Sequence, residues 1–222
     1  LGQPLDEGCV YDSNRYTLYG MLTRLRFIEL LDMGVVHDSP EALEHAMLLA
    51  MEQADVIITS GGVSVGEADY TKQVMEKLGS VNFWKIAMRP GRPMAFGQVH
   101  NAANGDSAYL FGLPGNPVAV MVTFYAFVRD ALFKLANANA LPIPMVSAKL
   151  AQNVRKRPGR TEYQRARLTM EKGLLLAHLS GAQGSGILRS MSESDCLLVL
   201  EHDQGDLKAG DTVLALPFEG LI

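Results

Sequence analysis

The sequence predicts an α/β domain with an open, mostly parallel sheet, followed by a small all-β domain that is barrel-like or a sandwich. Two buried strands, near residues 55–60 and 109–111, each lead through a glycine-containing loop into a helix, as in open parallel sheets. Beyond a polar linker at residues 137–142, the pattern changes to short extended runs separated by turn residues. We therefore assign residues 1–140 to the first domain and 141–222 to the second.

The opening of the first domain predicts two helices and a strand. Ser13 is a candidate N-cap for a helix over residues 14–25, in which leucines recur at helical spacing. The mostly apolar residues 27–36 predict a buried strand. Asp38-Ser39-Pro40-Glu41 then predicts a helix start, because it combines a cap candidate, a proline and an early acid.

Two glycine loops follow in the first domain. Residues 60–66 connect the strand at 55–60 to a helix over about residues 70–78. Residues 112–117 form the second loop, in which Asn116 is a candidate N-cap and Pro117 begins an apolar helix that reaches residue 135. Further extended runs are predicted at residues 81–86, 94–99, 145–150, 163–170, 174–179, 196–200 and 212–216.

Composition excludes several classes of protein. The chain has 222 residues, 48% of them hydrophobic, and a formal net charge of −4, so it folds without staples and gives no reason to expect a nucleic-acid partner. Its longest apolar run, residues 118–128, is far shorter than the ~20 residues of a membrane span. Cys9 and Cys196 form no metal or redox motif. We expect a cytoplasmic protein with no membrane partner.

Both glycine loops suit the binding of a phosphate or another anion. Such a loop, placed between a strand and a helix, directs backbone N–H groups and the positive end of the helix dipole toward one point. Because the carboxyl ends of parallel strands share a sheet edge, the two loops can line one cleft. The alternative is two independent tight turns that need glycine for their backbone conformation. Lys85, Arg89 and Arg92 form a basic cluster suited to phosphate, although most charge clusters are simply solvated.

Carboxylates near the ends of two predicted strands are candidates for metal binding, or for assisting the attack of water on a phosphoryl group. They are Asp38, and Glu67 with Asp69 at the end of the first glycine loop. Asp38 is equally suited to be a helix N-cap. The histidines show no metal-ligand spacing, and the basic residues 155–160 predict a solvated turn.

Specific motifs resemble those of the MoeA family, the molybdopterin molybdenumtransferases that include the E domain of gephyrin. The main motifs are TSGGVSVGEADYTK at residues 59–72, FWK at 83–85, MRPGRP at 88–93 and GLPGNP at 112–117. YDSNR at residues 11–15, PGR at 158–160 and QR at 164–165 fit as well. The resemblance covers essentially the whole chain, with the motifs in the family's order.

The resemblance implies a MogA-like α/β domain, a C-terminal β domain and a role in molybdenum cofactor biosynthesis. The family inserts molybdate into molybdopterin, starting from molybdopterin-adenylate and releasing AMP, with a divalent cation such as Mg²⁺; its members are usually homodimers. By motif, Asp38 and Asp69 are the catalytic positions, and no metal ligand is assigned. The loops and motifs together predict substrate-binding residues at Gly61, Gly62, Ser64, Lys85, Arg89, Pro114, Gly115, Asn116, Pro117, Arg165 and Ser185.

The sequence also departs from the family pattern. In the family, two further domains precede the α/β domain, which opens with a strand ending in S-T-G-D-E-L, whereas this sequence starts after that motif. We therefore expect a piece of a longer protein that holds much of the pterin-phosphate site but not a complete catalytic one. Two alternatives stay open: a module that binds molybdopterin without chemistry, and a gephyrin-like scaffold for a partner protein.

Overall fold

The computed structural model describes residues 11–63 and 70–218. In its first part, residues 11–63 and 70–135, regular structure begins at Asn14 and ends at Leu135. The elements are α1 (Asn14–Leu22), α2 (Pro40–Met51), β1 (Val56–Ser60), α3 (Tyr70–Leu78), β2 (Gly79–Lys85), β3 (Met88–Arg89), β4 (Pro93–His100), β5 (Ser107–Leu113), α4 (Pro117–Thr123), a π-helical turn (Phe124–Val128) and α5 (Arg129–Leu135).

Four of these strands form one open sheet in the order β1-β5-β4-β2. β1 pairs with β5 in parallel, while β4 is antiparallel to both β5 and β2. β1, β5 and β2 therefore run in the same direction, opposite to β4. The predicted open sheet is confirmed, as a mixed sheet with one parallel and two antiparallel pairings among the described strands. Residues 101–106 join β4 to β5 as the tip of a hairpin.

Helices cover both faces of this sheet. On β5, Phe111 and Leu113 belong to a core cluster that also contains Leu18 of α1 and Val120 of α4. Leu110 belongs to a second cluster, with side chains from α2 and α3 such as Met47, Ala50, Val74 and Met75. Because successive side chains of a strand point to opposite faces, β5 is buried on both sides.

The second part is a small β-barrel. Its elements are β6 (Val146–Leu150), β7 (Thr161–Glu171), β8 (Leu174–Leu179), α6 (Arg189–Ser192), β9 (Cys196–Leu200) and β10 (Thr212–Pro217). The strands follow the order β7-β8-β6-β10-β9, and a further pairing of β7 with β9 closes the ring. Each of these five strands was predicted from the sequence.

A short strand and an apolar cluster join the two parts. β3 lies between β2 and β4 in the sequence but pairs in parallel with β7 of the barrel, with Met88 opposite Thr161 and Arg89 opposite Glu162. Next to this pair, Met88 belongs to a buried cluster with Val118 and Val122 of α4 and Leu197 and Leu216 of the barrel. The β3 strand was missed by sequence analysis, because two residues beside prolines carry no strand periodicity.

The predicted strand over residues 27–36 is wrong. These residues form no strand, and several of their apolar side chains are exposed, Val35 to 71%. Asp32 holds the segment in a turned conformation, because its carboxylate accepts hydrogen bonds from Arg15 Nε at 2.7 Å and from the backbone N–H of Gly34 at 3.0 Å. Gly34 has a φ of +78°, which an extended strand does not allow.

Two predicted helix caps also differ. α1 starts at Asn14 as expected, but the Ser13 side chain makes no capping bond; Asp12 Oδ1 accepts from the backbone N–H of Arg15 instead. α2 is capped by Ser39, whose Oγ accepts from the backbone N–H of Ala42, so Asp38 is not the cap. In both cases a residue next to the predicted cap, Asp12 or Ser39, places its side-chain oxygen within hydrogen-bond distance of a free backbone N–H in the first turn.

The basic residues 155–160 are not simply solvated. Lys156 is 4% exposed, and its ammonium donates to the carbonyl oxygens of Arg157, His202 and Gln204. Arg160 donates to Glu162.

Within residues 11–63 and 70–218, no helix has the length and apolar character that crossing a membrane requires.

Candidate functional site

The first glycine loop leaves the carboxyl end of β1 in a conformation that only glycine adopts readily. Gly61 has a φ of +91° and Gly62 a φ of +67°. A Cβ at Gly62 would lie 2.2 Å from Oγ1 of the buried Thr71 on α3, so the loop and the helix approach as closely as the backbone allows. Ser64 and Asp69, predicted as site residues, lie outside the described residues.

The second glycine loop contacts the first. β1 and β5 are neighbours with Ser60 opposite Leu113, and the backbone N–H of Gly61 donates to the Leu113 carbonyl at 3.0 Å. A Cβ at Gly115 would lie 3.6 Å from Cα of Gly61. The two loops are therefore adjacent in space, as the sequence analysis expected from parallel strands.

Asn14 joins the two loops from α1. Its Nδ2 donates to Ser60 Oγ and to the Gly115 carbonyl, each at 2.7 Å. Its Oδ1 is buried and has no hydrogen-bond partner among the described residues. Sequence analysis did not list Asn14 as a site residue, although it lies in the YDSNR motif that carried part of the resemblance.

A loop of the barrel completes the cluster. The carbonyl oxygen of Ser185 accepts from the backbone N–H of Val118 at 3.2 Å, at the start of α4. Pro117 occupies the first turn as predicted, but the Asn116 side chain makes no capping bond. Its Oδ1 faces Gly186 instead, 3.6 Å from where a Cβ would stand. The predicted residues Gly115, Asn116, Pro117 and Ser185 are therefore brought together at the start of α4, while Pro114 is buried.

Arg165, on β7, lies behind this barrel loop and is fully buried. Its Nη2 donates to the carbonyl oxygens of Ala182 at 2.8 Å and Gly184 at 3.1 Å. Its Nε and Nη1 are buried without a hydrogen-bond partner in the described part of the chain. Burial, together with the positive charge of Arg89, lowers the pKa of Arg165 from its ordinary value. Buried donors without an acceptor are suited to an anionic ligand.

Lys85 stands at the same sheet edge as the loops. β2 runs parallel to β1 and β5, so its last residue, Lys85, lies at the edge where both glycine loops begin. Lys85 is opposite Pro93 of β4. Because β4 is antiparallel to β5 and Ala95 is opposite Gly112, continuing this register by two residues places Pro93, and with it Lys85, level with Pro114. Two strand spacings are about 10 Å. Lys85 and Arg89 are both exposed, and Arg89 lies on β3, opposite Glu162 of the barrel.

Asp38 is not brought to this cluster by any contact. It is exposed, before α2, and no ion pair or hydrogen bond ties it to another described residue. Among the described residues, no group of three or more His, Cys, Asp or Glu side chains is placed to hold a metal ion. The described acidic residues do not fit a Mg²⁺ site.

These features define a class of protein: an α/β domain with two adjacent glycine loops at the ends of its parallel strands, joined to a β-barrel that supplies a third loop. Residues 1–134 match the family described as a probable molybdopterin binding domain, and residues 147–218 match the MoeA C-terminal region, domain IV. The chain belongs to this molybdopterin-binding family, among its MoeA members, and the resemblance found in the sequence is confirmed.

Curated relatives and solved structures agree with this assignment. The chain is 43% identical to the molybdopterin molybdenumtransferase of Haemophilus influenzae over all of this chain and 54% of that protein. It is 32% identical to gephyrin of Dictyostelium discoideum over 96% of this chain and 33% of that protein. The crystal structure of the molybdopterin biosynthesis MoeA protein from Pyrococcus horikoshii superimposes with a TM-score of 0.76, at 29% identity, over 99% of this chain and 51% of that one. The chain thus spans about half the length of the molybdenumtransferase that it matches.

Proposed function

We propose that this chain is the pterin- and phosphate-binding part of a molybdopterin molybdenumtransferase, an enzyme of molybdenum cofactor biosynthesis. The observation that carries the proposal is the contact between the two glycine loops and the barrel loop beside Arg165. Anionic substrates fit this cluster, because it combines backbone N–H groups with unpaired guanidinium donors. Relatives that bear the enzyme's name match the chain over nearly its whole length.

The proposed reaction has two parts. The dithiol of molybdopterin displaces one oxygen of molybdate: two Mo–S bonds form, and that oxygen leaves as water with the two thiol protons. Water also cleaves the phosphoanhydride of molybdopterin-adenylate, which releases AMP and leaves the pterin's own phosphate in place. Molybdate and the adenylate are substrates, both negatively charged, so the reaction needs a site that gathers anions.

The residues of the cluster divide these tasks. We assign Gly61, Gly62, Ser64 and Gly115 to the loops that approach the phosphate; the backbone N–H of Gly61 already donates to Leu113, so Gly62, Ser64 and Gly115 are assigned the N–H contacts. Asn116 and Pro117, with the buried Pro114 before them, are assigned to the wall that the pterin meets. Lys85, Arg89 and Arg165 balance the charge of phosphate and molybdate, with Ser185 beside them. Asp38 and Asp69 are proposed as the acidic residues of catalysis. We further propose that the complete protein is a cytoplasmic homodimer.

Binding of molybdopterin tests this proposal directly. Calorimetric titration under anaerobic conditions is expected to show saturable binding to the chain, weakened at least about tenfold by Lys85→Ala. Lys134→Ala is the matched control, because Lys134 is exposed on α5, away from the loops. A folded chain that binds no molybdopterin, or binds it equally well after Lys85→Ala, would overturn the assignment of the site.

Similarity to gephyrin over nearly the whole chain supports a second candidate, a scaffold that binds a partner protein. This candidate predicts a peptide complex that is unchanged by Arg89→Ala and Lys85→Ala. The remaining alternative is a module that binds molybdopterin without catalysis. An assay of the full-length protein distinguishes it from the enzyme, because such a module would bind the pterin and insert no molybdenum.

A further inference from the structure

Glu162 is a buried carboxylate at the junction of the two parts of the molecule. It lies on β7 opposite Arg89 of β3 and is 2% exposed. Its Oε1 accepts from Arg160 Nε at 2.8 Å, and its Oε2 accepts from Gln164 Nε2 at 3.0 Å. Neither sequence motifs nor periodicity singled it out. A carboxylate this deeply buried is stable only because these donors surround it.

The carboxylate also reaches a residue of the proposed site. Arg89 Nη1 lies 3.9 Å from Glu162 Oε2, an ion pair without a hydrogen bond, and the Arg89 side chain is 53% exposed. Its fork of five N–H donors therefore remains largely available to a ligand while one edge faces the buried charge. An exposed arginine otherwise samples many rotamers, and fixing them costs free energy on binding.

The local charge balance gives Glu162 a second effect on Arg89. Arg89, Arg160 and Arg165 are three positive groups of this region, and Glu162 pairs with two of them. Arg165 pairs with no carboxylate among residues 11–63 and 70–218, and Arg89 acts on it as a like charge. Without Glu162, Arg89 would lose this ion pair and keep the repulsion from Arg165, so its side chain would be less restrained.

We infer that Glu162 is a positioning residue, which holds the Arg89 guanidinium in the orientation that meets the anionic part of the substrate. The inference rests on the proposed function, since it assumes that an anionic pterin occupies the cleft. Glu162 itself touches no substrate, because its oxygens are buried against Arg160 and Gln164.

Charge and positioning predict opposite results for Glu162→Gln. Removing a carboxylate near an anion site should, by charge alone, tighten the binding of molybdopterin. If Glu162 positions Arg89, the same change weakens binding roughly three- to tenfold, and less than about twofold when Arg89 is already alanine. Glu162→Asp keeps the charge and is expected to recover part of the affinity. Calorimetric titration of these variants, and of Arg89→Ala, gives the complete cycle.

The control is Glu171→Gln, the same substitution at an exposed position near the end of the same strand. Tighter or unchanged binding by Glu162→Gln, or a loss that simply adds to that of Arg89→Ala, would overturn the inference while leaving the proposed function intact. If the wild-type chain binds no molybdopterin, the proposed function fails and the inference fails with it.

A second measurement needs no ligand and no variant. In the wild-type chain, NMR relaxation of the Arg89 Nε–H should give an order parameter near that of rigid backbone, about 0.85. The internal reference is the exposed Arg167, on the same strand as Glu162, whose guanidinium has no ion pair or hydrogen bond within the described part of the chain. An Arg89 as mobile as Arg167, below about 0.6, would contradict positioning even if Glu162→Gln did not fold.

Discussion

The Nδ2 of Asn14 lies 2.7 Å from the carbonyl oxygen of Gly115, across 101 residues of sequence. The same nitrogen reaches Ser60 Oγ, so one amide group connects α1 with both glycine loops. The relative position of the two loops therefore depends on a helix that precedes both of them.

Replacement of Asn14 by alanine should loosen both loops. The Gly115 carbonyl and Ser60 hydroxyl lose their donor, and we expect a loss of about 1–2 kcal/mol in the free energy of unfolding. Molybdopterin binding should weaken as well, because the loops are no longer held together. Thermal unfolding and calorimetric titration measure the two effects. Asn139→Ala, in the exposed linker, should change neither; full affinity after Asn14→Ala would contradict the proposed role of the contact.

Gly62→Ala should be more damaging than an ordinary glycine substitution at positive φ. The new methyl group would collide with Thr71 as well as strain the backbone, so we expect a loss of about 2–4 kcal/mol. Gly105→Ala, at a φ of +86° in the open hairpin tip, isolates the backbone strain and should cost about 1 kcal/mol. Denaturant unfolding compares the two, and equal losses would show that α3 moves away from the loop.

Arg165→Met should separate stability from binding. The substitution removes a buried positive charge that pairs with no described carboxylate, although the carbonyls of Ala182 and Gly184 each lose a donor. A methionine of similar length fills the space. We expect a Tm that is unchanged or higher, together with a loss of molybdopterin affinity of at least about tenfold. Arg167→Met, exposed two residues along the same strand, is the control and should leave both quantities unchanged. A large fall in Tm would show that Arg165 serves the fold more than the ligand.

Cys196 should be chemically inert in the folded protein. Burial, reinforced by the charge of Asp195, raises the pKa of its thiol to about 12. The thiol donates to the Ala166 carbonyl inside the barrel. Because only the thiolate reacts, iodoacetamide at pH 8 should leave Cys196 unmodified until the protein is unfolded, as peptide mapping would show. Rapid labelling of the native chain would mean that the barrel opens.

The same pKa implies a pH dependence of stability. Below its unfolded pKa of about 9, the thiol is neutral in both the folded and the unfolded state. It therefore leaves the free energy of unfolding independent of pH in that range. As the pH rises from about 9 toward about 12, the unfolded state loses its proton first, and the free energy of unfolding falls. Cys196→Ala should reduce this alkaline loss in pH-dependent denaturant unfolding; an identical profile in both proteins would contradict the shift.

Much of the fold could be predicted from residues that lie close together in the sequence. Both strand–loop–helix units, the hairpin and all five barrel strands were found, because alternation, helical spacing, glycine and Pro117 act within a few residues. The strand predicted over residues 27–36 failed for the opposite reason. A strand needs a neighbour, and apolar residues alone do not show whether one is in place.

The candidate site divides in the same way. By itself, the sequence determined that two glycine loops follow two buried strands, and its motifs indicated Arg89, Arg165 and Ser185. Only the tertiary structure decided that Asn14 joins the loops, that Ser185 meets the start of α4, and that Glu162 faces Arg89. Backbone conformation follows from neighbouring residues, whereas these partners are dozens of residues apart. Asn14 meets the loops because α1 packs on the open sheet, and the other two contacts form because the sheet and the barrel pack against each other.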